Sequence, residues 1–250
     1  MLAEHGIAQP PFAAVRTLHE GRRALESVGV PAVLRPDNAP GHATAFVVES
    51  AADLERHLHA ALAQSPTREA IVEGVRRDGT ALVAIVEDGA TAIAEALPPP
   101  GLGWFRPTTL FGDRLAAVEE TATRTVRALA LSGVACIDLV STSSGIVVVE
   151  VAPEAPRPEL ALLLGRAEPA ALRLLTSEPG PLPAGRVRRV GSMDKVRAFP
   201  GVVDAALVAR AGDAIEPLRP SGYVLAVAET NLQAIERADA AARLVDVEVW

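Results

Sequence analysis

The sequence predicts an α+β fold in which strands pair mainly as hairpins and helices lie between them. Asp88-Gly89 stands between two apolar runs and is a strong signal for a tight hairpin turn. A second pair of apolar runs, 134–140 and 146–151, flanks a turn rich in serine and glycine. Residues 113–131 carry apolar side chains at helical spacing, which predicts a long amphipathic helix between the two hairpins.

Capping signals define the helices along the rest of the chain. Thr17 followed by Glu20 is a capping-box pattern, and Ser50 and Asn231 are predicted N-caps. The predicted helices cover 17–27, 50–63, 113–131, 158–165, 169–176 and 231–244. The predicted strands cover 31–36, 43–49, part of 68–75, 80–87, 90–97, 134–140, 146–151, 186–190, 202–210, 223–229 and 245–249.

Composition excludes several classes of protein. The 250 residues are 49% hydrophobic and 22% charged, which excludes disorder as the main state. The net charge of -7 argues against a nucleic-acid partner. A single cysteine, Cys136, excludes an internal disulfide framework. No apolar run is long enough to span a membrane, and no signal peptide is visible, so we expect a cytoplasmic protein without a membrane partner.

Five segments resemble the ATP-grasp superfamily and occur in its order. They are LAEHGIAQPPFAAV from residue 2, VGVPAVLRPDNAPGHATAFVVES from residue 28, AIVEGV from residue 70, LALSGVACIDLVSTSSGIVVVEVAP from residue 129 and GYVLAVAETNLQAIERADAAARLV from residue 222. The resemblance is strongest to the carboxylate–amine ligase branch, which is related to biotin carboxylase and carbamoyl phosphate synthase. It implies two α+β subdomains that would sandwich a nucleotide, at 1–75 (lid type) and 76–178 (central), and a C-terminal segment at 179–250 packed on the central subdomain.

The resemblance also implies where a nucleotide would bind. Arg35 stands where the family has a phosphate-binding lysine, and Gly41 is the glycine that remains of its phosphate-covering loop. Glu73 and Val75 fall in the hinge whose backbone groups read adenine, and Thr80 takes the place of an acid that holds the ribose hydroxyls. The residues leave alternatives open, because Arg35 and Glu73 also fit solvated side chains at strand ends.

Two acids fit the metal hairpin of the family. Asp138 and Glu150 flank the second hairpin turn, and carboxylate oxygens are ligands that Mg²⁺ prefers. The family's third ligand, an asparagine, is replaced by Ala152, and its following arginine is replaced by Glu154. Arg157 lies three residues further on and is a candidate substitute for that arginine. The alternative is that the two acids are relics that are solvated or paired with arginines.

The resemblance implies an ATP-dependent ligase that joins a carboxylate to an amine through an acyl-phosphate, with ATP and Mg²⁺ as cofactors. The alternative is a catalytically degenerate relative that serves as a binding or assembly module, and it is favoured by the loss of the other glycines around Gly41 and by Ala152 and Glu154. The expected partners are a nucleotide and a small-molecule carboxylate. The family's N-terminal domain is not matched, so we also expect a partner subunit that supplies it, or a homo-oligomer.

Overall fold

The computed structural model describes residues 2–37, 45–75, 78–98, 102–155, 157–216 and 219–250. The chain divides into two compact units. The smaller unit comprises Leu2–Gly79 and Val147–Val149, and the larger unit comprises Thr80–Ile146 and Glu150–Trp250. The domain boundaries expected from the sequence, after residues 75 and 178, stay predictions. No helix in the described part of the chain is long and apolar enough to cross a membrane.

The smaller unit is a four-stranded antiparallel sheet with two helices. Its elements are β1 (Phe12–Val15), α1 (Leu18–Val28), β2 (Ala32–Pro36), β3 (Phe46–Val48), α2 (Ala51–Gln64) and β4 (Ala70–Gly74). The strand order is β1-β4-β2-β3. Leu34 and Val72 lie on the buried face and belong to the same core as Leu54 of α2. Because side chains alternate along a strand, Arg35 and Glu73 lie on the opposite face.

The start of α1 follows the sequence pattern. The Thr17 hydroxyl accepts a hydrogen bond from the Glu20 backbone N–H at 3.2 Å, and the Glu20 carboxylate accepts one from the Thr17 N–H at 3.1 Å. Gly29 ends the helix with a φ of 85°, a conformation that favours glycine. The predicted capping box and helix end are therefore confirmed.

The larger unit is built on an eight-stranded sheet with a three-stranded sheet beside it. Its strands are β5 (Thr80–Glu87), β6 (Ala90–Ala96), β7 (Gly103–Arg106), β8 (Ala135–Thr142), β9 (Gly145–Ala152, of which Val147–Val149 are assigned to the smaller unit), β10 (Ala170–Leu174), β11 (Gly185–Val190), β12 (Val202–Leu207), β13 (Ala214–Ile215), β14 (Gly222–Val227) and β15 (Val247–Val249). Its helices are α3 (Asp113–Ala128), α4 (Pro158–Leu164), α5 (Asp194–Arg197) and α6 (Asn231–Ala242). The strand orders are β12-β14-β10-β7-β6-β5-β8-β9 and β13-β11-β15.

Helices cover both faces of the eight-stranded sheet. Leu163 of α4 packs in one core with Leu172 of β10. Ala238 of α6 packs in another core with Ala171, the neighbour of Leu172 along the same strand. Because consecutive strand residues point to opposite faces, α4 and α6 lie on opposite faces of the sheet. The sheet therefore has the mixed α+β architecture that the sequence predicts.

The prediction of a helix over 169–176 is wrong, because this segment forms β10. Four of the five β10 residues are buried, and the strand lies between β7 and β14. A short apolar run buried on both faces has no periodicity that separates a strand from a helix. Strand β7 was also not predicted. The predicted helix over 113–131 ends earlier, at Ala128.

The sequence predicted Asn231 as the N-cap of α6, but the N-cap in the structure is Thr230. The Thr230 hydroxyl accepts a hydrogen bond from the Gln233 backbone N–H at 3.2 Å. Asn231 is instead the first residue of the helix, and its side-chain amide donates to the Pro107 carbonyl at 2.8 Å. Two adjacent residues with good capping chemistry are equivalent in the sequence, and a tertiary contact decides between them.

Candidate functional site

The hairpin of β8 and β9 forms one edge of the eight-stranded sheet and carries both predicted metal ligands. Its turn is Ser143-Ser144, so both strands reach closer to the turn than predicted. The Thr142 hydroxyl accepts from the Ser144 N–H at 3.2 Å and donates to the Gly145 carbonyl at 3.0 Å. These hydrogen bonds hold the turn in one conformation, so the backbone positions of Asp138 and Glu150 on the two strands are well defined.

Asp138 and Glu150 lie close enough to affect each other. Asp138 is in the middle of β8, between the buried residues Ile137 and Leu139, and Glu150 is near the end of β9. Desolvation by the surrounding protein raises the pKa of Asp138, although this side chain still reaches solvent. Repulsion from Glu150 raises it further, and nearby Arg157 lowers it, which leaves the pKa at about 6. The structure thus brings together two carboxylates and one guanidinium.

Arg157 lies just before α4 and has two further neighbours. Its Nε is 3.4 Å from Oε1 of Glu159, and its guanidinium carbon is 5.8 Å from the ring centroid of Trp104. A guanidinium over an indole face gains cation–π attraction. Neither Trp104 nor Glu159 was predicted from the sequence as a neighbour of Arg157. The one signal for Trp104 was its rarity, since the chain has two tryptophans.

Cys136 lies two residues from Asp138 on β8, and its environment argues against nucleophilic chemistry. Burial raises the pKa of its thiol to about 11, with repulsion from Asp138 and Glu154 as smaller causes. A thiol is nucleophilic as the thiolate, which this environment disfavours. Cys136 packs against the core that also holds Leu172, as expected for a small hydrophobic residue.

The donor set of the hairpin fits a hard divalent cation. Asp138 and Glu150 supply only oxygen ligands, and a cation held by both would relieve their repulsion. Within the described ranges, no group of three or more His, Cys, Asp or Glu side chains could hold a metal ion. Mg²⁺ keeps several waters and commonly takes one or two carboxylates with substrate phosphates, so two acids are sufficient.

In the smaller unit, two of the predicted nucleotide-binding residues contact each other. A terminal nitrogen of Arg35 is 2.9 Å from a carboxylate oxygen of Glu73, across the paired strands β2 and β4. The side chain of Arg35 is 38% exposed and that of Glu73 only 14%. The open face of this sheet therefore carries a half-buried ion pair, and Glu73 competes with any other anion for the guanidinium.

The remaining predicted residues occupy different positions. The backbone N–H of Val75 donates to the Pro31 carbonyl at 3.2 Å, so this donor is already used. Thr80 is the half-buried first residue of β5 and lies opposite Ser141 of β8. Gly41 lies outside the described residues. The roles expected of Val75, Thr80 and Gly41 stay predictions.

Sequence comparison finds similarity to an L-amino acid ligase domain and to carbamoyl phosphate synthases. The family model described as L-amino acid ligase C-terminal domain 2 matches residues 181–249. The carbamoyl phosphate synthase large chain of Thermotoga petrophila is 27% identical over 168 residues. That match covers 63% of this chain but 15% of the synthase, so the chain is similar to only a small part of that enzyme.

Structural comparison covers the whole chain. The L-amino acid ligase of Bacillus licheniformis superposes with a TM-score of 0.74 at 16% identity, over 100% of this chain and 70% of the ligase. The N5-carboxyaminoimidazole ribonucleotide synthetase of Thermotoga maritima gives 0.68 at 20% identity, also over 100% and 70%. These proteins are all ATP-grasp ligases. The chain therefore has the ATP-grasp fold and is related to the carboxylate–amine ligases of that superfamily.

Proposed function

We propose that the chain binds MgATP and belongs to a protein that joins a carboxylate to an amine through an acyl-phosphate. The observation that carries this proposal is the carboxylate pair of Asp138 and Glu150 beside Arg157. A pair of carboxylates that repel each other favours a bound cation, and ATP-grasp relatives provide the reaction class. In the proposal, Asp138 and Glu150 hold Mg²⁺, which would neutralise phosphate charge when bound.

The remaining roles follow the family pattern. Arg35 and the loop at Gly41 would bind the phosphates, the backbone at Glu73 and the carbonyl of Val75 would bind adenine, and Thr80 would donate to the ribose. An oxygen of the substrate carboxylate takes the γ-phosphoryl group and ADP leaves. The amine then attacks the acyl carbon, loses a proton, and displaces inorganic phosphate. The chain's residues orient these groups and supply positive charge.

We propose that Arg157 binds the substrate carboxylate. Its fork of donors matches a carboxylate, and its contact with Trp104 and Glu159 holds the side chain beside Asp138. The family's own arginine position is occupied here by Glu154, which carries the opposite charge. Arg157 would supply the missing positive charge from three residues further along the chain.

A degenerate binding module is the second candidate, and specific observations favour it. Ala152 has no oxygen side chain for the metal, and Arg35 is already paired with Glu73 at 2.9 Å. One lost donor to a developing oxyanion costs about 3 kcal/mol of transition-state stabilisation, so several such losses together would abolish turnover. Such a module would still bind nucleotide or a partner without chemistry.

A thermal melt with and without MgATP tests nucleotide binding. Ligand at about one hundred times its Kd stabilises the folded chain by about 2.7 kcal/mol, which raises the Tm clearly. We expect the rise to need Mg²⁺ and to disappear in Glu150→Ala. Glu87→Ala, which removes an exposed glutamate from the end of β5, is the matched control and should keep the rise.

The result separates the candidates. No rise in a folded sample contradicts the proposed MgATP site. A rise in Tm together with phosphate release, when ATP, carboxylates and amines are supplied, supports the ligase. A rise without phosphate release supports the binding module. The cytoplasmic location, the homo-oligomer and the partner subunit stay predictions of the sequence.

A further inference from the structure

A cavity separate from the β8–β9 hairpin lies where β10 ends beside α6. It has a volume of about 310 Å³. Its walls come from β10, from the segment after that strand and from the end of α6. Its lining includes Arg173, Ser177, Glu178, Asp239 and Arg243. None of these residues belongs to the nucleotide or metal roles proposed above.

The cavity lining contains a buried hydroxyl that lacks a hydrogen bond. Among the described residues, Ser177 Oγ is one of seven buried side-chain atoms without a hydrogen-bond partner, and two others of the seven, Arg173 Nε and Asp239 Oδ1, form an ion pair with each other. Ser177 is 95% buried, since its exposed fraction is 5%. Buried polar groups in proteins are normally satisfied by protein, water or ligand. An unsatisfied hydroxyl at a cavity of this size therefore indicates a polar occupant.

The segment that forms the cavity wall is held tightly against β10. The Leu182 N–H donates to the Thr176 carbonyl at 3.0 Å, and the Gly180 N–H donates to the Ser177 carbonyl at 3.3 Å. A side chain at Gly180 would place its Cβ 2.1 Å from the Thr176 carbonyl oxygen. This close approach requires glycine, and it fixes the wall that presents Ser177. The site is thus largely formed before any ligand arrives.

The charges that line the cavity balance. Arg173 Nε lies 3.3 Å from Asp239 Oδ1, and both side chains are mostly buried. Glu178 and Arg243, which are both exposed, add one negative and one positive charge. Because Arg173 and Asp239 neutralise each other, the charges left for a ligand are one carboxylate, Glu178, and one guanidinium, Arg243, which disfavours a dianion or a simple cation. The remaining pair favours a small molecule that carries both charges.

We infer that this cavity binds a free α-amino acid or an equally compact zwitterion. The guanidinium of Arg243 receives the carboxylate, and the carboxylate of Glu178 receives the ammonium group. The Ser177 hydroxyl bonds the same carboxylate, which satisfies its unpaired oxygen. The site is remote in sequence from Asp138 and Glu150 and does not depend on the proposed MgATP site.

Calorimetric titration of the purified chain, without nucleotide, tests the inference. The probes are the twenty standard amino acids, followed by the N-acetyl and the carboxamide forms of the tightest binder. We expect at least one amino acid to bind with a Kd below about 1 mM, and we expect either blocked form to bind at least about tenfold more weakly. Arg243→Ala and Ser177→Ala should each weaken binding by about tenfold.

Arg114→Ala is the matched control, because Arg114 is exposed on α3 and does not line the cavity. Its binding should equal that of the unmodified chain. Each variant is first checked by a thermal melt, so that loss of binding is not confused with unfolding. The inference is overturned if no amino acid binds at about 10 mM. It is also overturned if blocked forms bind as tightly as the free amino acid, or if Arg243→Ala binds normally.

Discussion

Replacing Glu150 with glutamine removes the carboxylate that repels Asp138, and we expect the pKa of Asp138 to fall. An ordinary aspartate has a pKa of 3.8, and Asp138 has one of about 6. Desolvation is the largest cause of this increase, and Glu150 is the second. Glu150→Gln should therefore lower the pKa of Asp138 below about 6 but leave it above 3.8, because the desolvation remains.

Arg157→Met is the opposite perturbation. Arg157 lowers the pKa of Asp138, so its removal should raise that pKa above about 6. Carbon-detected NMR titration of the side-chain carboxyls from about pH 3 to about pH 9 resolves both changes. A pKa near 3.8 in the unmodified chain, or the same pKa in the unmodified chain and Glu150→Gln, would refute the reasoning.

The same pKa makes stability depend on pH. Folded Asp138 keeps its proton up to about pH 6, whereas the unfolded chain loses it near 3.8. The folded chain therefore binds more protons between these values, and this residue makes stability fall as pH rises through that interval. Asp138→Asn should remove this part of the fall. We expect the contribution of Asp138 to the fall in the free energy of unfolding to be less than about 1 kcal/mol, because solvent reaches the carboxyl and screens it.

Three further predictions concern stability measured by urea unfolding. Arg35→Met removes the 2.9 Å ion pair with the largely buried Glu73 and should lower the free energy of unfolding by about 1 kcal/mol or more. The control is Arg22→Met, which removes an exposed ion pair with Glu55 and should change the free energy of unfolding very little. Leu172→Ala empties a fully buried position and should cost about 2–5 kcal/mol; a smaller loss would contradict the packing of α4 on β10. Thr17→Ala should cost about 1 kcal/mol and Thr17→Ser almost nothing; equal losses would contradict the capping role.

Short-range signals predicted the local structure well. The capping box of Thr17 formed as expected, and so did the hairpin turn at Asp88-Gly89, whose positive φ values of 48° and 83° suit a tight turn between strands. These features depend on residues within about four positions of each other, so a short stretch of sequence is enough to predict each of them. The order of such elements also carried the resemblance to the ATP-grasp superfamily.

The candidate site was predicted in part. The sequence identified Asp138 and Glu150 as a pair, and the structure brings them close enough for repulsion. The sequence did not identify Trp104 or Glu159 as neighbours of Arg157, because these contacts join β7, α4 and the segment after β9. Contacts between distant segments leave no periodic pattern along the chain.

The sequence by itself determined the class of fold, the main capped helices, both hairpins and the acids of the second hairpin. Tertiary structure decided that 170–174 is a central strand, because burial on both faces removes the periodicity that would reveal it. It also decided that Arg35 pairs with Glu73, since the register of β2 on β4 brings those strands' outward side chains together. The charge-balanced cavity at Ser177 exists because β10 and α6 meet in space, and only packing brings them together.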